Sequence, residues 1–344
     1  MRVRVLFRTH YQIDQPAHFY GLVSDCTSAT KSEYPERVAK RLANMLDFNE
    51  AAALYAVDLA RLAELVTDRM VWTPLGISVG LLVRHSRDLR NTNFELTAVE
   101  QMLALRVFLE SDGATLLWLA RRMLEATEAD VLTEDVANKI SAKMFPSIYD
   151  EYLQVIQGVP ERQNLRAERD RIRSKGFTGK TGKHKLWLHF ETLNKVGLCR
   201  RTEEERARTY ACPTGTGESA LRNLVRMLPD VMVLEKRASA TELSDISAAI
   251  IREVLQLNAT KIADADTRNR LLGAIREVRE LGMNLCPISS VIDMVTFRGV
   301  SEGISMPTAG ALRLMITQMN REDPRHVRLH VDRNGRPAFV VIDS

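Results

Sequence analysis

Gly176-Phe177-Thr178-Gly179-Lys180-Thr181-Gly182-Lys183-His184-Lys185 is the stretch that comes nearest to phosphate chemistry. A nucleotide-cradling loop needs G-x-x-x-x-G-K-[ST], so that backbone amides wrap a phosphate and a hydroxyl holds magnesium. Counting back from Gly179-Lys180-Thr181 places Ser174 where the first glycine belongs. Counting back from Gly182-Lys183 places Phe177 there, and His184 follows in place of the hydroxyl. Nucleotide hydrolysis is not expected. Pro229-Asp230 followed by Glu235-Lys236 approaches a magnesium-dependent nuclease pattern, but adjacent Glu and Lys would point to opposite faces of a strand. The seven histidines, His10, His18, His85, His184, His189, His326 and His330, show no metal-ligand spacing. His326 and His330 would stand roughly 13 Å apart along a strand. Cys26, Cys199, Cys212 and Cys286 are scattered, which reads as reduced thiols; Cys199 and Cys212 are potential neighbours. No nucleophile elbow, dinucleotide fingerprint or catalytic Cys-His signature occurs. The expectation is a chain with no catalytic residue, no metal and no cofactor.

The charge distribution points instead to a polyanion. Residues 161–226 hold 16 Lys or Arg against 8 Asp or Glu, a net of +8, in a chain whose total is +4; the remainder is therefore −4. Concentrated positive charge beside an acidic remainder suits nucleic acid. Phosphate contacts are expected from Arg171, Arg173 and Lys175, from Lys180, Lys183 and Lys185, and from Arg206 and Arg208. His184 and Lys185, with His189 next, are the candidates for reading base edges. Trp72, Trp118 and Trp187 are expected in the core, because stacking platforms for single strands space several exposed aromatics along a basic groove.

The elements that would position these residues are mostly helical. Aromatics make up 6% of 344 residues, against 45% hydrophobic and 27% charged. Helices are predicted from Ser32 with Pro35 in the first turn, from a cap at Asn49, and across 96–144. In that last stretch Thr97-x-x-Glu100 is a capping signal, and Ser111-Asp112-Gly113 is expected to break the helix. Two further patterns lie in 147–175, separated by Gly158-Val159-Pro160, and the second is strongly basic. A helix over 183–196 turns Leu186, Phe190 and Leu193 inward, and Arg200, Arg201, Arg206 and Arg208 sit on the ribbon that follows. Residues 242–257 and 261–281 suggest an antiparallel helical pair. Asn334-Gly335 between two β-patterned runs predicts a hairpin near the end. No leader peptide and no stretch of ~18 apolar residues is expected, so the reading is cytoplasmic and without membrane contact.

One pattern occurs twice. Leu62-Ala63-Glu64-Leu65-Val66, a hinge, and Met70-Val71-Trp72-Thr73-Pro74-Leu75-Gly76 precede a helix pattern. Leu193-Asn194-Lys195-Val196-Gly197-Leu198, a hinge, and Arg208-Thr209-Tyr210-Ala211-Cys212-Pro213-Thr214-Gly215-Thr216-Gly217 do the same. Each reads as a helix ending in an apolar plug, a β-ribbon, and a Thr-x-x-Gly turn that opens the next helix. This resembles the winged-helix variant of the helix-turn-helix, over roughly 35 residues per copy. The resemblance implies a mainly α protein with small β-hairpin wings, tandem winged-helix modules and helical spacers. The C-terminal hairpin is a candidate third copy without the Thr-x-x-Gly turn. Boundaries are expected at 1–92 (winged-helix-like), 93–150 (helical connector), 151–230 (basic winged helix), 231–285 (helical hairpin) and 286–344 (C-terminal module).

The resemblance implies non-catalytic binding of double-stranded DNA, as a subunit of a larger DNA-processing, regulatory or bacterial defence complex. The alternative is an interaction subunit whose winged helices dock proteins. The first copy favours that alternative, since Arg61 is the cation of its recognition-helix position and Asp58 and Glu64 lie beside it.

Overall fold

The computed structural model describes Arg4 and residues 27–47, 49–86, 95–126, 130–131, 133–178, 180–204, 207–239 and 241–342, with the side chains of 46, 130–131, 180–185, 203–204, 207–208 and 239 left out. Among the described residues the chain is mainly helical, with a few short strands in small sheets.

α1 (Pro35–Leu46) and α2 (Glu50–Leu62) pack on each other, and α3 (Pro74–Ser86) follows. Asn49 caps α2 as expected, accepting from the Ala51 amide. The ribbon expected between α2 and α3 is reduced to one β-bridge, Val66 with Trp72. The turn closes so tightly that Met70 takes a positive φ of 54°. The Thr73 hydroxyl then donates to the Glu64 carbonyl and accepts from the Gly76 amide, which ties the plug to the start of α3.

α4 (Ala98–Glu125) is the interior spine, buried on nearly every side from Val99 to Ala120. α3 packs against it, and so do most of the helices that follow in the chain. A helix apolar all round belongs in a core, and the capping box at Thr97 and Glu100 starts it as the sequence predicts. The expected break at Ser111-Asp112-Gly113 is a kink at Asp112 (φ −142°, ψ 25°), not an end. Thr115 donates to the Asp112 carboxylate at 2.6 Å, and the freed Ala114 amide reaches the Arg4 carbonyl. The kink thus leaves few backbone groups orphaned.

β1 (Asp130–Val131) leads to α5 (Glu134–Val155), which runs through Pro146 where the sequence suggests an end. Phe145, Ile148, Tyr149 and Tyr152 are buried on either side of the proline, and that packing outweighs the lost hydrogen bond. α6 (Val159–Lys175) and α7 (Lys180–Lys195) both lie on α5. The hairpin β2 (Arg200–Glu204) and β3 (Ala207–Ala211) joins β1 in a sheet of order β1-β3-β2.

α8 (Thr216–Met227), α9 (Val231–Ser239) and α10 (Leu243–Val254) follow. Gly217 packs so closely that a Cβ there would lie 2.8 Å from the Gly197 carbonyl oxygen. β4 (Thr260–Lys261) precedes α11 (Asp264–Glu280), β5 (Cys286–Pro287), α12 (Ile288–Ser301), β6 (Ile304–Ser305), α13 (Ala309–Glu322) and the hairpin of β7 (Val327–Val331) and β8 (Pro337–Ile342). β4 pairs with β6 in parallel, and the last sheet has the order β5-β8-β7. α10 packs mainly on α4 and α8, and α11 on α12. The expected pair of α10 and α11 is divided because α10 buries residues on two sides, including Leu243, Ile246, Ile250 and Ile251. Trp72 is buried, and Trp118 and Trp187 are half-buried against the same core. Among the described residues, no helix is long and apolar enough to cross a membrane.

Candidate nucleic-acid interface

α6 turns only Leu165 and Ile172 inward, seven residues apart, so the rest of its surface faces solvent. Six cations against three carboxylates fall within it. Most of those cations are engaged. Arg169 and Arg173 both reach Asp150 of α5, at 2.8 and 2.6 Å, and Arg171 pairs with Glu168 at 2.6 Å. Exposed pairs of this kind are worth about 0–1 kcal/mol, so a phosphate can displace the carboxylate. Lys175 is exposed in the last turn, beside Gly176, whose φ of 60° ends the helix.

Lys180, Lys183, His184 and Lys185 fall in the opening turns of α7, which four residues separate from the end of α6; their side chains lie outside the described residues. Arg206 also lies outside them, as does the side chain of Arg208. The strand register sets Arg208 across from Glu203. With Glu204 and Glu205 also near the turn, this hairpin is close to charge balance. The inward face of α7 is as predicted, with Leu186, Phe190 and Leu193 fully buried and Phe190 stacked on Tyr210 at 4.9 Å.

His189 does not read bases. It is 3% exposed and bonds the Asp112 carboxylate at the α4 kink. A helix places residue 189 one turn before 193, on the stripe that faces the core. Glu191, also buried, is the residue that sequence reasoning missed. Its carboxylate accepts from the Trp187 indole at 3.1 Å, from Arg201 at 3.0 Å and from the Tyr210 hydroxyl. Arg201 is thereby drawn inward, and β2 and β3 are latched to α7.

The C-terminal region repeats the arrangement with different electrostatics. Thr308 caps α13, and the Asp245 carboxylate accepts from the Ala309 amide with both oxygens. Burial pushes that carboxyl up to about 6. Ala309, Leu312, Ile316 and Met319 face inward, and Leu314 stands 71% exposed. The hairpin turn is built on Asp332, which accepts from the Asn334 and Arg336 amides and is held below the usual carboxylate range by those bonds, that of Arg336 first.

A buried polar network joins α4 to α3, α9, α10 and α12. Arg4 bridges Glu110 and Glu235, and Glu110 also receives Arg106 at 2.7 Å. Burial pushes Glu110 up, but Arg106 and Arg4 outweigh it and leave the carboxyl below its ordinary value. Asp293 accepts from Ser78 and Ser244, and its burial pushes it up. A cavity of about 640 Å³ opens beside Arg106, Glu110 and Asp293. These charges answer one another and hold helices together. Among the described residues no group of three or more His, Cys, Asp or Glu is placed to hold a metal ion, and no disulfide joins Cys199, Cys212 or Cys286 to one another.

Compared with protein-family models, curated proteins and solved structures, the chain matches none.

Proposed function

We propose that this protein binds double-stranded DNA without catalysis, through winged-helix modules in its middle and C-terminal parts, as a subunit of a larger DNA-processing, regulatory or defence complex. One observation carries the reading. Twice a helix is followed by a two-residue strand, further helices and a hairpin, and twice the hairpin's second strand pairs with that short strand. Such a sheet backs a helix and sets a hairpin beside it, as in a winged helix-turn-helix. In the middle module that helix is α7, opened by Lys180, Lys183, His184 and Lys185. Helix N-termini and basic side chains both favour phosphate. Titrating a labelled duplex at several salt concentrations tests the reading, and no binding at low salt sinks it.

The N-terminal part favours a second role. Its described residues hold a lone β-bridge in place of a sheet, and α2 exposes Tyr55 and Leu62 (51% and 44%) with Asp58 between them. Large apolar side chains beside an Asp58–Arg61 pair that cancels its own charge suit protein better than DNA. Co-purification of a stoichiometric partner, lost on Tyr55→Glu, supports protein docking there.

A further inference from the structure

We infer that the C-terminal hairpin, more than the helix in front of it, is a sequence-independent contact surface for duplex phosphates. The inference rests on the DNA reading and adds a second site to it. Arg321, Arg325, Arg328, Arg333 and Arg336 are all exposed along the end of α13 and the hairpin. Among the described residues no carboxylate pairs with Arg321, Arg325, Arg333 or Arg336. Of the described acids nearby, Glu322 holds Arg268 at 2.5 Å, Asp323 accepts from the His326 amide, and Asp332 accepts from the turn's amides while also feeling the charge of Arg336. In the middle region Arg169, Arg171, Arg173 and Arg201 are all held by carboxylates. Arg166, Lys175, Arg200 and Arg226 are exposed there and show no such pair among the described residues. The C-terminal set is distinguished by its placement, four unpaired arginines within the single short stretch 321–336.

Geometry gives the surface its shape. The sheet order leaves β7 at an edge, with Arg328 and His330 on one exposed face. β7 itself, Val327–Val331, spans roughly 13 Å at strand rise, long enough to lie along two or three phosphates of one strand, with Arg325 and Arg333 in the turns at its ends. α13 offers little for reading bases. Its outward positions in the first two turns are Gly310, Ala311 and Leu314, and most of its polar side chains are engaged within the protein, Asn320 on the Val327 carbonyl. Thr317 donates to the Arg313 carbonyl and Gln318 to Glu322. Arg313 is taken by the Pro337 carbonyl and Thr241.

The experiment titrates a labelled duplex, and a second of scrambled sequence, against full-length protein over a range of salt. Arg333→Ala with Arg336→Ala is expected to weaken binding to both duplexes alike, about tenfold at low salt. The slope of log affinity against log salt should fall by about 1.8, at roughly 0.9 for each phosphate no longer neutralised. The paired Lys variant should keep the slope. A folded Arg321, Arg325, Arg333 and Arg336 to Ala variant with wild-type affinity and slope overturns the inference while leaving the DNA reading intact. So does unchanged binding accompanied by new aggregation, which would assign the arginines to guarding the exposed edge. Wild-type protein that binds neither duplex removes both.

Discussion

The Ser78 hydroxyl donates to the Asp293 carboxylate at 2.9 Å, joining α3 to α12 across 215 positions of sequence. Ser244 of α10 donates to the other carboxylate oxygen, and Arg106 of α4 donates in turn to Ser244. One buried carboxyl therefore gathers four helices. Removing it as Asp293→Ala takes the carboxylate acceptor from two buried hydroxyls, at a cost of about 2–4 kcal/mol. Asp293→Asn keeps the shape and should cost about 1–2 kcal/mol. Urea unfolding measures both, and an Ala variant within experimental error of wild type would show that the link is dispensable.

Asp245 gives stability a pH signature. Burial raises its folded value to about 6, above the ~3.9 of an unfolded aspartate. The protonated carboxyl therefore favours folding, fully so below about pH 4, and the contribution is lost as pH rises through about 6. With its partial exposure taken into account, wild type should lose about 1–2 kcal/mol relative to Asp245→Asn between pH 4 and pH 7. A difference between the two proteins that stays constant over that range would remove Asp245 as the cause.

Glu191 latches the middle hairpin to α7. Glu191→Gln exchanges a charged acceptor for a neutral one facing Arg201 and should cost about 1–3 kcal/mol. The indole of Trp187 loses its carboxylate partner at the same time. Thermal melting and Trp187 fluorescence, with Trp72 and Trp118 replaced by Phe, report the change. Unaltered emission with an unaltered melt would mean that the latch is not closed in solution.

Lys183 and Lys185 test the middle interface. Replacing both with Ala should reduce the salt slope of duplex binding by about 1.8, at roughly 0.9 per phosphate. An unchanged slope would exclude both residues from the phosphate-binding face.

Sequence periodicity reveals most helices and the C-terminal hairpin, because Asn334-Gly335 and Thr97-x-x-Glu100 act locally. β1 and β5 cannot be read that way: two residues carry no period, and their pairing with β3 and β8 depends on chain that returns much later. The continuity of α5 through Pro146 is hidden for a related reason, since it depends on burial supplied by other helices. His189 and Glu191 look in sequence like surface polar residues of a basic helix. Only the Asp112 kink and the Tyr210 strand show that they point inward. For the cations, composition marks the region but not the neutralising partners: Asp150, which takes two arginines, lies on a different helix.

The shared spine α4 constrains how this chain can be cut or recombined. Fragments ending near 92 or starting near 151 would each present apolar surfaces whose complement has been left behind. Truncations should therefore aggregate where beads on a string would remain soluble. A substitution along α4 would be felt at once by parts of the protein that are distant in sequence, so its regions must evolve together.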